Sequence, residues 1–166
     1  LSKTMVLNGI LVGCLVECFS LPVFGWLSDR IGRKPVYVGG ALFQSVLAFL
    51  FFPMMNTTDP AMIWFAVALG LGLGHGSMYG AQGAFFSELF PARVRYSGLS
   101  LVQQIGPILG GGLSPIIAVA LLAAYGTWVP ISGYMAAIAI LSAVCALGLK
   151  PPFRSVCRIN AGRRET

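Results

Sequence analysis

The residues able to do chemistry are few, and most of them lie inside long apolar runs. Glu17 is the single acid between Met5 and Phe24. His75, Tyr79 and Gln82 recur at i, i+4 and i+7 in a later run, and Gln103 and Gln104 open another. A polar or ionisable group surrounded by hydrocarbon is costly unless it meets water, a ligand or a partner. An acid at such a depth can carry a proton, so Glu17 is a candidate for proton or substrate work. A structural hydrogen bond is its plain alternative. His75, Tyr79 and Gln82 share one helix face and are expected to line a cavity. No nucleophile–base pair, metal-ligand spacing or phosphate loop accompanies them. Gly70-Leu71-Gly72 follows no strand, so a dinucleotide site fails on context. The expectation is a protein that is not an enzyme and holds no metal or organic cofactor.

The elements positioning these residues must be membrane helices. The chain of 166 residues is 57% hydrophobic and only 10% charged. Soluble domains carry about 25% charged residues, so lipid is the expected solvent. The net charge of +6 forms no basic stripe interleaved with aromatics, which argues against a nucleic-acid partner. Cys14, Cys18, Cys145 and Cys157 have neither metal nor disulfide-framework spacing, and Cys14 and Cys18 are expected to be inert packing groups.

Apolar length divides residues 1–149 into a bundle with spans at about 5–24, 35–55, 61–86, 99–124 and 129–149, followed by a basic tail over 150–166. Five spans put the two ends on opposite sides. All cations except Lys3 then fall on one side, which the positive-inside rule makes cytoplasmic, with the C-terminus inside. The chain starts at Leu1 with no leader pattern, and it reads as a piece of something longer. The third span carries Gly72, Gly76, Gly80 and Gly83, a stripe suited to close helix approach. The fourth, with Gly106-Pro107, Gly110-Gly111-Gly112 and Ser114-Pro115, is expected to kink or partly unwind. The second and fifth are nearly bare of polar groups and are expected to be outer, lipid-facing helices.

Two charged segments join spans on the cytoplasmic side. Gly25-Trp26-Leu27-Ser28-Asp29-Arg30-Ile31-Gly32-Arg33-Lys34 is expected to be a loop between the first and second, and Glu88 to Gly98, with Arg93 and Arg95, a loop between the third and fourth. The first resembles the signature loop of the major facilitator superfamily. The second, Glu88-Leu89-Phe90-Pro91-x-Arg93-x-Arg95-x-x-Gly98, is similar to the loop before that family's eleventh helix. Its flanks look most like the metabolite:proton symporters.

The resemblance implies an all-α transmembrane fold, with five membrane-spanning helices, eight to twelve, of a six-helix half. It implies a partner in the missing N-terminal half of the same transporter, and alternating access between the halves. Asp29 is expected either to accept from a neighbouring helix N-terminus or to pair with one of three partners, Arg33, Arg93 or Arg95. Together with Gly25, Arg30, Gly32, Lys34 and Glu88 these residues would form a gating loop that favours one packing over another.

The reading is of a secondary transporter in the plasma membrane, the bacterial inner membrane by preference. It moves a small polar metabolite, an organic acid or zwitterion, with the proton as coupling ion. Glu17, His75, Tyr79, Gln82, Gln103 and Gln104 are the expected pathway residues. A sugar porter or uncoupled facilitator is the alternative within transport. A truncated, non-transporting membrane partner is the alternative from another class.

Overall fold

The computed structural model describes residues 3–57 and 59–149. The tail expected to carry Lys150, Arg154, Arg158, Arg163 and Arg164, and Cys157 with it, lies outside them. Helix α1 (Lys3–Ile31) is followed after one residue by α2 (Arg33–Asn56). The third rod is α3 (Pro60–Ala68), a π-helical segment over Leu69–His75, and α4 (Gly76–Ser87). The fourth is α5 (Arg95–Pro107), a second π segment over Ile108–Gly112, and α6 (Leu113–Tyr125), and α7 (Val129–Gly148) is the fifth. All five rods are long and apolar enough to cross a membrane. The chain is a multi-pass, all-α membrane protein, with no strand among the described residues.

The first charged segment differs from its expected form. It is not a loop: α1 continues through Gly25 to Ile31, and only Gly32 separates it from α2. The Gly32 amide donates to Ser28 O at 3.0 Å, closing the last turn of α1. The backbone then reverses at Gly32 with φ of 115°, a conformation open to glycine because it has no Cβ. Pro35 falls in the first turn of α2, where its missing N–H costs nothing. At the opposite end the Asp59 carboxylate accepts from the Ala61 amide at 3.1 Å, with Pro60 as first helical residue.

Helix α2 packs most extensively on α7, then on α4 and the Leu69–His75 turn, and the large apolar side chains of its opposite face are exposed. The reason lies in α7, where Ser132, Ala136, Ala139, Ala143 and Ala146 are all buried at alternating spacings of four and three. Small side chains in that register let two backbones approach closely. Polar and aromatic clasps run along the seam. The Lys34 ammonium donates to Leu147 O (2.5 Å) and Leu149 O (2.9 Å), Tyr37 Oη meets Ser142 Oγ at 2.8 Å, and Phe52 stacks on Trp128 at 5.9 Å. Only the outer faces of both helices, with Val46, Leu50, Leu141 and Val144, remain open to lipid.

The third rod threads between α1 and α2. Gly72, Gly76 and Gly80 lie against Val16, Ser20 and the Leu21–Gly25 turn of α1, whereas Gly70 and Gly74 lie against Leu47 and Gln44 of α2. A Cβ at Gly80 would stand 2.9 Å from Leu21 O, closer than real Cβ contacts come. Gly83, the last of the expected stripe, meets nothing. Among the described residues the fourth rod packs on α4 and α7. A kink or partial unwinding was expected here, and the α-helix gives way to a π-helical segment over Ile108–Gly112 without losing its helical course. Pro107 and Pro115 each remove a backbone donor, and the helix absorbs this with the wider π turn over Ile108–Gly112.

Candidate functional site

Glu17 of α1 and His75, the last residue of the first π segment, meet at membrane depth. His75 Nδ1 lies 2.5 Å from Glu17 Oε1. Glu17 stands 14 residues before the end of α1 and His75 12 residues before the end of α4, or about 21 and 18 Å from the charged end at 1.5 Å per residue. Because α1 continues past Gly25, Glu17 lies deeper than its distance from that glycine suggests.

Two features of the sequence make the meeting possible. Gly72 and Gly76, flanking His75, carry no side chain to hold α1 away, so Val16 and Ser20 come in on either side of Glu17. The π turn, one residue wider than an α turn, rotates the downstream residues of the rod by about 100° relative to an unbroken helix. The Tyr79 ring stacks on the imidazole at 5.2 Å and 22°. The Glu17 side chain is 18% exposed and the His75 side chain 52%, so the imidazole is the accessible member of the pair.

The other expected pathway residues do not join the pair. Gln82 lies further along α4, and neither it nor Gln103 or Gln104 forms a hydrogen bond among the described residues. Gln103 and Gln104 sit on α5, which packs on α4 and not on α1. Cys14 and Cys18, expected as packing groups, are exposed. No cluster of potential metal ligands occurs among the described residues.

At the charged end Arg33 is the hub. Its guanidinium donates to Glu88 Oε1 at 2.7 Å, to Ala84 O at 3.3 Å and to Asp29 Oδ1 at 3.3 Å. It therefore spans the Gly32 turn and ties that turn to the end of α4. Of the three partners expected for Asp29, the structure selects Arg33. Arg95 instead donates through Nε to Phe90 O at 3.5 Å, and Arg93 makes no ion pair among the described residues. Arg30 lies over the Trp26 ring, 4.2 Å from its centroid.

Sequence reasoning did not connect Glu17 with His75, nor Arg33 with Glu88. Comparable distances from the charged helix ends were the available signal for the first. Nothing in residue spacing announces the second. A cavity of about 480 Å³, not anticipated either, opens between α2, α4, α6 and α7, with Gln44, Met78, Ser114, Tyr134, Ile138 and Ser142 in its wall. Gln44 Oε1 is buried there without a hydrogen bond.

Five apolar rods, with an ionisable pair near their middle and a charged clasp at one end, define a multi-pass integral membrane protein. Residues 4–163 match the model of the Major Facilitator Superfamily, and the chain belongs to that family. It is 36% identical over 157 residues to the shikimate transporter of Escherichia coli, covering 93% of this chain and 36% of that protein. It is 33% identical over 149 residues to the citrate–proton symporter of Klebsiella pneumoniae, covering 84% and 33%. It is 29% identical over 146 residues to the proline/betaine transporter of Salmonella typhimurium, covering 88% and 28%. The chain thus spans about a third of the length of these relatives. No solved structure matches it. Membership in a transporter family agrees with the expectation of a protein that is not an enzyme.

Proposed function

We propose that this chain is part of a proton-coupled secondary transporter that moves a small polar metabolite, an organic acid or zwitterion, by alternating access. The observation that carries the reading is the Glu17–His75 contact at 2.5 Å, which joins the first and third spans far from either membrane surface. Two ionisable side chains in hydrogen-bond contact at that depth supply the groups that proton coupling requires. The names of the relatives point the same way, since shikimate, citrate, proline and betaine all bear a carboxylate. The transporter operates in the plasma membrane, a bacterial inner membrane by preference, with the C-terminus cytoplasmic. The clustering of Arg33, Lys34, Arg93 and Arg95 at one end of the bundle favours that orientation.

The Arg33 clasp is the gate in this reading. It holds α1, α2 and α4 together on the cytoplasmic side and releases when the site turns inward. The remainder of the transporter, including the N-terminal half, supplies the opposing wall of the pathway. Gln82, Gln103 and Gln104 line the approach to the pair from this side.

The test is uptake by the full-length protein in proteoliposomes with an imposed pH gradient. Glu17→Gln and His75→Ala are expected to abolish the acceleration of uptake by an inwardly directed proton gradient. Exchange without a gradient should persist in at least one of them. Uptake that remains pH-driven in both variants removes the coupling assignment.

A further inference from the structure

Resting on the reading of the Glu17–His75 couple as the coupling site, we propose that His75 Nε2 is the anchor for the substrate carboxylate. The co-transported proton rides on that nitrogen, and Glu17 is a positioning residue. The contact with Glu17 occupies Nδ1 at 2.5 Å, and Nε2 has no partner among the described residues. The imidazole is the open member of the pair, 52% exposed against 18% for the carboxylate, so a molecule entering the site meets the ring first. Tyr79, stacked beneath the ring, limits the directions in which Nε2 can point.

The chemistry is set by the two ring nitrogens. With Nδ1–H donated to Glu17, a neutral imidazole presents a lone pair at Nε2, which repels a carboxylate. One proton taken from water on the loading side converts Nε2 into an N–H donor. The resulting imidazolium is balanced by Glu17 on one side and offers a charge-assisted hydrogen bond on the other. Loss of that proton to water on the opposite side restores the lone pair and expels the carboxylate. Only the Nε2–H bond forms and breaks, and one proton crosses for each carboxylate.

The neighbouring elements supply no competing cation. On α1 the other titratable groups near Glu17 are the thiols of Cys14 and Cys18, α3 has none, and α4 contributes Tyr79. The charges of α2 are confined to Arg33 and Lys34 and those of α5 to Arg95, all at the cytoplasmic end.

The experiment is titration calorimetry on the full-length protein in nanodiscs. The probes are shikimate and citrate, each compared with its methyl ester, in two buffers of different ionisation enthalpy. In the wild-type protein at neutral pH, binding of at least one acid should take up about one proton per anchored carboxylate, and its ester none. His75→Gln should abolish proton uptake and reduce the preference for acid over ester by about tenfold or more, the worth of one charge-assisted hydrogen bond. Ester binding retained by that variant reports an intact fold. Glu17→Gln should weaken acid binding while leaving the ester unaffected. Equal binding of acid and ester, failure of both acids to bind, or proton uptake persisting in His75→Gln would each overturn the proposal. Uptake that stays pH-driven alongside such a result would leave the symport reading standing. Loss of pH-driven uptake with the calorimetric pattern intact would remove symport and keep the anchor.

Discussion

Arg33 concentrates three contacts on one side chain, and its relation to Glu88 is the clearest quantity to measure at the scale of the residue. The guanidinium is 31% exposed and the Glu88 carboxyl 44%, so water screens the pair and its intrinsic worth is about 1 kcal/mol or less. The gate proposed for this clasp does not need more than this. A bias of about 1 kcal/mol changes the ratio of two conformations roughly fivefold. A double-mutant cycle on Arg33→Gln and Glu88→Gln in the full-length protein, read by the inward/outward ratio from accessibility labelling, should give a coupling energy of that size. Additive effects would reduce the clasp to a topology signal. Asp29→Asn should shift the ratio less, because its bond to Arg33 is longer (3.3 Å against 2.7 Å) and its side chain is 64% exposed. Proximity in sequence favoured Asp29 as the centre of this network. A contact between residues 33 and 88 depends on how α2 and α4 pack, which no local spacing encodes.

The glycine pattern of the third rod is the feature that most controls packing between helices. A Cβ at Gly80 runs into the Leu21 carbonyl at 2.9 Å, and backbone cannot yield as a side chain can. Gly80→Ala should therefore lower the thermal midpoint of the detergent-solubilised protein. Gly83→Ala should leave it unchanged or raise it, since nothing lies within 4 Å and alanine restricts the unfolded chain by about 0.4–1 kcal/mol. Equal shifts for the two variants would contradict the packing described. The stripe itself was legible in the sequence, as were the five rods, because apolar length and small-residue spacing are local properties. The two π turns were not. Leu69–His75 alternates leucine with glycine and carries no proline, so nothing in it marks a widened turn. The seam between α2 and α7 was not legible for a related reason: it is built from alanine and serine, whose burial depends on the register between two helices and not on polarity along one.

Across the described residues, charge is segregated along the rods: a clasp at one end, one ionisable pair near the middle, and uncharged packing between them. The α2–α7 seam is fastened at Lys34, Tyr37 and Phe52. The composition made the membrane class legible, and the two charged segments made the family legible. The pairing of Glu17 with His75 was not, because each was judged on its own helix and the bundle geometry that joins them is a property of three elements together. That pairing is also where the account is most exposed. The direct test is the removal of each group in the full-length transporter, Glu17→Gln and His75→Gln, assayed for uptake with and without an imposed pH gradient. A functional pair predicts that each change alone abolishes the acceleration of uptake by the gradient. A single variant with wild-type coupling would contradict the account.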